Sequence, residues 1–174
     1  MIEQMSLEEQ VDSDFVSARR RALLRRVWAR LHRGTTSNQL LSFDEVRKAS
    51  LADNQTYLGT KIVEVEKIVG SVGRQRDFER SFLPARASVE ARWKRVDRAF
   101  YRMKDLPPVS LYKIEDTYFV LDGHHRVSVA RYHDVPTLEA VVTEFRPRIS
   151  ALPSAGAQTF TGDRIFEVQE RRAA

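Results

Sequence analysis

Residues 118–145 read YFVLDGHHRVSVARYHDVPTLEAVVTEF. The aromatic and β-branched run at 118–121 predicts a buried strand, because it contains no turn residue. A polar turn around Gly123 follows, and the apolar spacing after it predicts a short helix over residues 124–132. The Asp-Val-Pro sequence next in the chain ends that helix, because proline has no N–H to continue the hydrogen-bond ladder. Residues 138–145 then alternate and run apolar, which is typical of a partly buried strand.

The polar turn has the composition of an anion site and reads Asp122-Gly123-His124-His125-Arg126. A glycine between a strand and a helix lets the backbone turn sharply and lets a ligand approach. The first turn of a helix has N–H groups without partners, and the helix dipole adds positive potential there, so phosphate is a favoured ligand. Arg126 and the two histidines add side-chain donors. We expect Asp122 either to cap the helix or to hold a magnesium ion at the phosphate. The alternative is a structural turn in which Asp122 caps the helix and Arg126 pairs with an acidic side chain.

The segment LDGHHRVSVARYHDV resembles the signature of the ParB/sulfiredoxin-like superfamily, and the resemblance covers roughly residues 62–145. It implies a ParB/sulfiredoxin-like core that binds a nucleotide triphosphate, with magnesium, at this turn. By resemblance, Gly123 and Arg126 occupy the shared positions, and His125 occupies that of the sulfiredoxin histidine. His124 stands where ParB proteins have glutamate and sulfiredoxins have their catalytic cysteine. This chain has no cysteine, so the resemblance does not extend to the sulfiredoxin reaction.

The composition is that of a water-soluble globular chain, since 42% of the 174 residues are hydrophobic and 30% are charged. That length suits one domain with extensions. No apolar run reaches the roughly 18 residues that a membrane span needs, and the acidic stretch 1–10 does not have the apolar region of a secretory signal. We therefore expect a cytoplasmic protein without a membrane span, and the sequence leaves its oligomeric state open. The absence of cysteine excludes disulfides, cysteine zinc sites and cysteine nucleophiles.

The segment 11–33 is strongly basic. With seven arginines against two aspartates, it accounts for the whole net charge of +5. Capping residues predict a helix over 12–33, with residues 1–10 frayed before it. An apolar stripe of this helix is expected to face the core, and it consists of Phe15, Leu23, Leu24, Val27, Trp28 and Leu31.

The basic faces of this helix have three interpretations. They are the solvated side of a docked helix, a contact with nucleic-acid phosphates, or the polar side of an amphipathic helix lying on a membrane. The second interpretation makes DNA a partner. Its candidate DNA-binding residues are Arg19, Arg20, Arg25, Arg26 and Arg30.

A second candidate anion site is the predicted loop 68–78, which follows a predicted first core strand at 62–66. Two glycines beside two arginines make a loop that is able to surround an anion. The alternative is an ordinary loop whose arginines pair with local acids. The candidate ligands in this loop are Gly70, Gly73, Arg74 and Arg76.

The other predicted elements complete an α+β fold. They are a capping box at 42–45 that opens a helix to about residue 49, a helix over 88–103, a hairpin of strands 109–114 and 117–121, and a short element at 160–168. In the helix 88–103, a stripe at three- and four-residue spacing is expected in the core. Its members are Trp93, Val96, Phe100 and Met103.

The predicted fold is thus a ParB/sulfiredoxin-like small mixed sheet flanked by helices, with a helical extension before it. We divide the chain into a basic N-terminal helical extension at 1–50, a ParB/sulfiredoxin-like core at 51–146 and a C-terminal linker and tail at 147–174.

These features support hypotheses from three functional classes. The first is a nucleotide- or phosphate-binding module that acts as a nucleotide-dependent switch or a weak nucleotidase. The second is a DNA-associated protein that contacts backbone phosphates without reading bases. The third is a small-molecule kinase-like enzyme, which needs a carboxylate base near the acceptor; by position, the candidates are Glu64, Glu66 and Asp77.

Histidine metal binding is not expected from the sequence. A zinc site needs three convergent ligands, and adjacent histidines such as His124 and His125 point apart on a helix. His133 is expected to lie away from the turn.

Overall fold

The computed structural model describes residues 5–31 and 39–147 of the chain, which form four α-helices, six strands and two 3₁₀ turns. In chain order the elements are α1 (Leu7–Leu31), β1 (Leu41–Ser42), α2 (Phe43–Ala49), β2 (Ala52–Glu64), a 3₁₀ turn (Val65–Lys67), β3 (Ile68–Ser71), a 3₁₀ turn (Ala87–Val89), α3 (Glu90–Tyr101), β4 (Val109–Ile114), β5 (Thr117–Asp122), α4 (His124–Tyr132) and β6 (Thr137–Pro147). No helix in these described ranges is long and apolar enough to cross a membrane.

The strands form one mixed sheet in the order β1-β3-β5-β4-β6-β2. Strands β1, β3 and β5 are parallel neighbours, so the carboxyl ends of β3 and β5 meet at one end of the sheet. The hairpin β4–β5 is antiparallel, and β4 runs parallel to β6 on its other side. Helix α4 begins directly after β5, at that same end of the sheet. A mixed sheet flanked by helices, with a helix before it, confirms the predicted fold class.

Strand β2 is the far edge of the sheet and pairs with β6 in antiparallel register. Two register shifts interrupt this pairing, one between Ala52 and Asn54 and one between Tyr57 and Gly59. Gly59 has a φ of 72°, a left-handed backbone conformation that glycine adopts without steric penalty. The edge strand is therefore divided into separate segments.

The larger core lies between one face of the sheet and the helices α4, α3 and α1. Trp93 of α3 is at its centre with no exposed surface, and its indole N–H donates to Ser128 Oγ of α4 over 2.9 Å. Phe15 of α1 and Tyr132 of α4 contact the same indole, each with a ring-centroid separation of 5.6 Å. Because a buried indole needs a partner for its N–H, the buried Ser128 hydroxyl fixes how α3 and α4 pack.

A smaller core covers the opposite face of the sheet. Phe43 of α2 packs edge-on against Phe119 and Phe145, at centroid separations of 5.6 and 5.0 Å, and lies 4.8 Å from Tyr112. The helix α2 is found where the capping box predicts it. Ser42 is its N-cap, but its side chain makes no capping hydrogen bond, so this part of the prediction is wrong.

Helix α1 begins earlier than the sequence pattern indicates. Ser6 and Glu9 form a reciprocal capping arrangement, in which the Ser6 N–H donates to Glu9 Oε2 over 2.8 Å and the Glu9 N–H donates to Ser6 Oγ over 3.3 Å. The prediction that residues 1–10 are frayed is therefore wrong for 7–10, and residues 1–4 lie outside the described ranges. The predicted end of the helix at Arg33 also lies outside them.

The apolar stripe predicted for α1 is largely wrong. Only Phe15 of its described side chains is buried. The apolar residues of the buried face are Val11, Phe15, Ala18 and Ala22, and Asp14 lies among them. Every described side chain from 23 to 29 is exposed. The exposed apolar members are Leu23, Leu24, Val27 and Trp28. The helix thus extends beyond the surface on which it packs. The side chain of Leu31, the last member of the predicted stripe, is not among those that the structure describes.

Three further predictions need correction. The segment predicted as a loop from 68 begins with the buried strand β3, because parallel pairing with β5 gives its backbone groups partners. The strand predicted at 62–66 ends at Glu64 and passes into a 3₁₀ turn. In α3 the core stripe stops early, since Phe100 is 39% and Met103 93% exposed. The element predicted at 160–168 lies outside the described residues.

Gly70→Ala is expected to destabilise the fold. A Cβ atom at this position would lie 2.4 Å from Phe119 Cδ1 and 2.6 Å from the Leu41 carbonyl oxygen. Overpacking of this kind costs about 1–3 kcal/mol, so the midpoint of urea unfolding should fall. An unchanged midpoint would show that β1 and Phe119 can move apart without loss of stability.

Candidate functional site

The turn between β5 and α4 depends on the backbone of Gly123, which has φ 95° and ψ 21° and is the N-cap of α4. A Cβ atom here would lie 2.7 Å from Val109 Cγ1, so any other residue would be strained by both its conformation and its contacts. No side chain caps the helix. The predicted capping by Asp122 is wrong, because its carboxylate turns to Arg126 instead.

The guanidinium of Arg126 makes most of its hydrogen bonds with other groups of the protein. Its Nη2 donates to Asp122 Oδ2 over 2.8 Å, and its Nη1 donates to the carbonyl oxygens of Pro107 and Pro108, the second over 2.8 Å. The Arg126 side chain is 14% exposed, whereas that of Asp122 is 76% exposed. The guanidinium therefore ties the segment before β4 to the turn, and a ligand that reached it would have to displace the exposed carboxylate.

His124 joins the ends of two parallel strands. Its Nε2 lies 2.7 Å from Ser71 Oγ at the end of β3, and the Arg74 N–H donates to the same hydroxyl oxygen over 3.2 Å. The residue is 4% exposed, and Phe78 stacks on its ring at 6.2 Å. Burial lowers the pKa of His124 to about 4, and the positive charge of Arg74 contributes to this. The ring is therefore neutral at pH 7, and it links the first turn of α4 to the end of β3.

His125 differs from its neighbour because one of its ring nitrogens has no partner. Its Nε2 is buried and unpaired, and Phe78 packs against the ring edge-on at 5.5 Å. Burial lowers the pKa of His125 to about 4, followed in effect by the charges of Arg74 and Arg92. A neutral imidazole has one nitrogen that can donate. His125 thus offers a desolvated donor or acceptor beside the first turn of α4.

The loop after β3 contributes one of its two arginines to this place. Arg74 is close enough to influence both histidines, and its guanidinium lies 3.7 Å from the Asp77 carboxylate. Gly73 has a φ of 79°, and no atom lies within 4 Å of where its Cβ would be. The backbone beside Arg74 is therefore open to solvent or ligand.

Gly70 and Arg76 have other surroundings. Gly70 is buried where Phe119 and the β1 backbone meet, which gives it a packing role. Arg76 lines a separate cavity of about 490 Å³, together with Gln39, Ser42, Glu45 and Arg80. The turn 122–126 and the loop after β3 thus meet through Arg74, Asp77 and Phe78.

Sequence reasoning missed three residues of this site, Ser71, Phe78 and Arg92. Ser71 could have been found from its position, because polar residues at the carboxyl ends of parallel strands often line a ligand crevice. That inference needed the pairing of β3 with β5, which the loop interpretation of 68–78 excluded. Nothing in the local pattern marks Phe78 or Arg92.

The remaining candidates lie elsewhere. Glu64 pairs with Lys67 over 3.2 Å, and Glu66 lines another cavity, of about 460 Å³, with Arg25 and Arg131. In α1, Arg19, Arg20, Arg25 and Arg26 are exposed and make no salt bridge with any described residue. The side chain of Arg30 is outside the described part.

Comparison with known proteins gives a likeness of fold only. No family model matches the chain, and no curated protein matches its sequence. Among solved structures, sulfiredoxin from Arabidopsis thaliana is similar to it with a TM-score of 0.38 and 16% sequence identity. The similarity covers 50% of this chain and 86% of that sulfiredoxin.

Buried His124 and half-buried His125 predict that the protein loses stability in mild acid. The folded-state pKa of His124, about 4, lies below its ordinary value of 6.5, so the unfolded chain binds the proton more tightly. Stability is then full above pH 6.5 and declines as the pH falls toward 4. For His124 alone the loss is about 2 kcal/mol at pH 5.

This dependence is measurable by urea unfolding at pH 7 and pH 5. His124→Gln should lower stability at pH 7, because it disturbs the bond to Ser71, yet reduce the further loss on going to pH 5. If parent and variant lost the same stability between these two pH values, the ring of His124 would not be the group that titrates.

Proposed function

We propose that the protein binds a phosphate group of a nucleotide at the N-terminus of α4. The observation that carries this proposal is the buried, unpaired Nε2 of His125 beside the first turn of that helix. A buried polar atom without a partner costs free energy. A phosphate oxygen at this position would accept a hydrogen bond from it and from the N–H groups of the helix.

The charges around the turn favour an anion. Arg74 and Arg92 both act on the ring of His125, and the helix dipole adds positive potential at the same place. Asp77 and Asp122 oppose this potential, but Asp77 is paired with Arg74 and Asp122 with Arg126. Arg74 is 42% exposed in its side chain, so it can turn from Asp77 toward a bound phosphate.

The ligand class rests on the resemblance of the turn to nucleotide-binding signatures. A nucleotide triphosphate brings magnesium, and the exposed carboxylate of Asp122 is the acidic group nearest the turn that could bind it. Such binding would separate Asp122 from Arg126 and release one face of the guanidinium to the phosphates. This exchange of partners would give a nucleotide-dependent switch. Hydrolysis or phosphoryl transfer would further require a general base. Of the three carboxylates that the sequence suggests for this role, Asp77 is the one that lies at the site.

Arg74→Ala should weaken nucleotide binding about tenfold or more. A charge-assisted hydrogen bond contributes roughly 1.5–3 kcal/mol, and each 1.4 kcal/mol is a factor of ten in the dissociation constant. The measurement is calorimetric titration of ATP, GTP, CTP, UTP and inorganic phosphate, each with and without magnesium. His125→Gln should weaken the same ligand.

The matched control is Arg95→Ala, which removes an exposed arginine from α3, one turn from Arg92. It should leave the affinity unchanged. If no nucleotide or phosphate binds, or if Arg74→Ala binds like the parent protein, the site is not an anion site. Arg126→Ala is a less direct test of binding, because it also removes the hydrogen bonds to Pro107, Pro108 and Asp122 and should therefore lower the stability of the fold.

Binding of DNA by α1 is a second candidate function, and the exposed arginines 19, 20, 25 and 26, which make no salt bridge with any described residue, favour it. Removing residues 1–34 is not a clean test, because Val11, Phe15 and Ala18 belong to the core. The triple substitution Arg19→Gln, Arg20→Gln and Arg26→Gln leaves the buried face intact. If these side chains bind phosphates, the slope of log affinity against log salt should become shallower by about 0.9 for each phosphate that is no longer neutralised.

This prediction is tested by fluorescence anisotropy with duplexes of unrelated sequence at several salt concentrations. Binding should be equal for all duplexes. A parent protein that does not bind at low salt, or a triple variant with the parent's slope, would remove α1 as a DNA-binding element.

A further inference from the structure

A second group of polar side chains lies far from the β5–α4 turn, where α1, α3 and the end of α4 meet. Asp14 of α1, Asp97 of α3 and His133 after α4 each present a ligand atom, and these atoms all lie within 4.8 Å of one another. Asp14 is 6% exposed and Asp97 has no exposed surface. Three elements distant in sequence thus bring two carboxylates and one imidazole together inside the protein.

The charges of this cluster are not balanced by its own members. His133 Nε2 lies 2.6 Å from Asp97 Oδ1, so even a protonated imidazole offsets only one of the two carboxylates. Asp97 Oδ2 is buried and has no hydrogen-bond partner. Buried carboxylates are ordinarily paired, or they bind a metal ion. A cation bound to this oxygen would satisfy it and would also offset the second negative charge.

The groups around the cluster hold its members in fixed orientations. Asp14 accepts hydrogen bonds from Gln10 over 3.0 Å, Tyr101 over 2.6 Å and Tyr132 over 3.0 Å. The ring of His133 stacks on Phe100 at 4.2 Å, and the rings of Tyr101 and Tyr132 lie nearly perpendicular to it at 5.5 and 5.0 Å. Outer contacts of this kind orient metal ligands in known centres.

The geometry points to a binding site for a divalent first-row transition metal, formed by Asp14, Asp97 and His133. One imidazole with two carboxylates suits zinc, manganese, iron or cobalt better than magnesium or calcium, which prefer oxygen alone. The imidazole binds through Nε2 with its remaining proton on Nδ1, and the ion replaces the hydrogen bond to Asp97. The side chain of His133 is 15% exposed, so the ion reaches the site from that side.

Such an ion would join the N-terminal helix to the rest of the fold. Asp14 comes from α1, whereas Asp97 and His133 come from elements packed on the sheet. A ligand that binds only the folded state raises stability with its concentration. Metal should therefore raise the melting temperature and protect α1 in particular.

The test uses the full chain after removal of metal with a chelator. Zinc is titrated calorimetrically and cobalt by its visible absorption. We expect one ion per chain, an increase in melting temperature, and zinc-induced shifts of the His133 ring resonances in NMR spectra. Asp97→Asn, which keeps the size of the side chain, and His133→Gln should each weaken binding at least tenfold.

Asp12→Asn is the matched control, because it removes a carboxylate that links the same two helices through Lys94 at 2.9 Å but lies outside the cluster. It should bind zinc like the parent protein. The proposal is overturned if the parent binds neither ion, or if Asp97→Asn binds zinc with unchanged affinity. Should both cluster variants fail to fold, the His133 resonances of the parent decide, since a site elsewhere would leave them unshifted.

Discussion

The left-handed backbone of Gly123 is the constraint on which the other features of this fold depend. It reverses the chain between the end of β5 and the start of α4 in a single residue, and Val109 leaves no space for a side chain there. The direction of α4 over the sheet is fixed by this turn. Every contact that α4 makes with the strands and with α3 therefore follows from one backbone conformation.

The sequence HHRVSVARY of α4 is understandable from these contacts. His124 bonds to the end of β3, Arg126 to the segment before β4, and Ser128 to the indole of Trp93. Arg131 donates to the carbonyl oxygens of Glu66 and Ile68, each over 3.2 Å. A short helix with so many polar residues can be buried because each of these polar groups meets a different element. Two ring or guanidinium nitrogens of the helix are exceptions, since His125 Nε2 and Arg131 Nε are buried without a hydrogen-bond partner.

The boundaries of an element could be predicted from the sequence where glycine or proline stands at its ends. The bounds of α4, 124–132, and the hairpin β4–β5 were predictable because turn residues limit both on each side. The buried stripe of α1 could not be predicted in this way. Periodicity identifies the residues that share one face of a helix, but it does not tell how much of that face the rest of the fold covers. At 1.5 Å per residue, α1 is about 37 Å long and α3 about 18 Å, so the second half of α1 extends past α3.

The candidate site could be predicted only in part, for a related reason. Ser71 and Phe78 reach the turn because β3 and β5 pair in parallel, and a short sequence motif does not indicate which strands pair.

The divided edge of the sheet bears on how this protein behaves at high concentration. An unbroken edge strand presents a continuous row of N–H and C=O groups that a strand of another molecule can pair with. In β2 the two register shifts and the left-handed Gly59 change the direction of these groups along the strand. Exposed Tyr57 and Ile62, with 69% and 71% of their surface accessible, would otherwise make this edge prone to association. The irregular ladder limits any intermolecular pairing to short stretches, and so opposes the growth of ordered aggregates from a long β-rich edge.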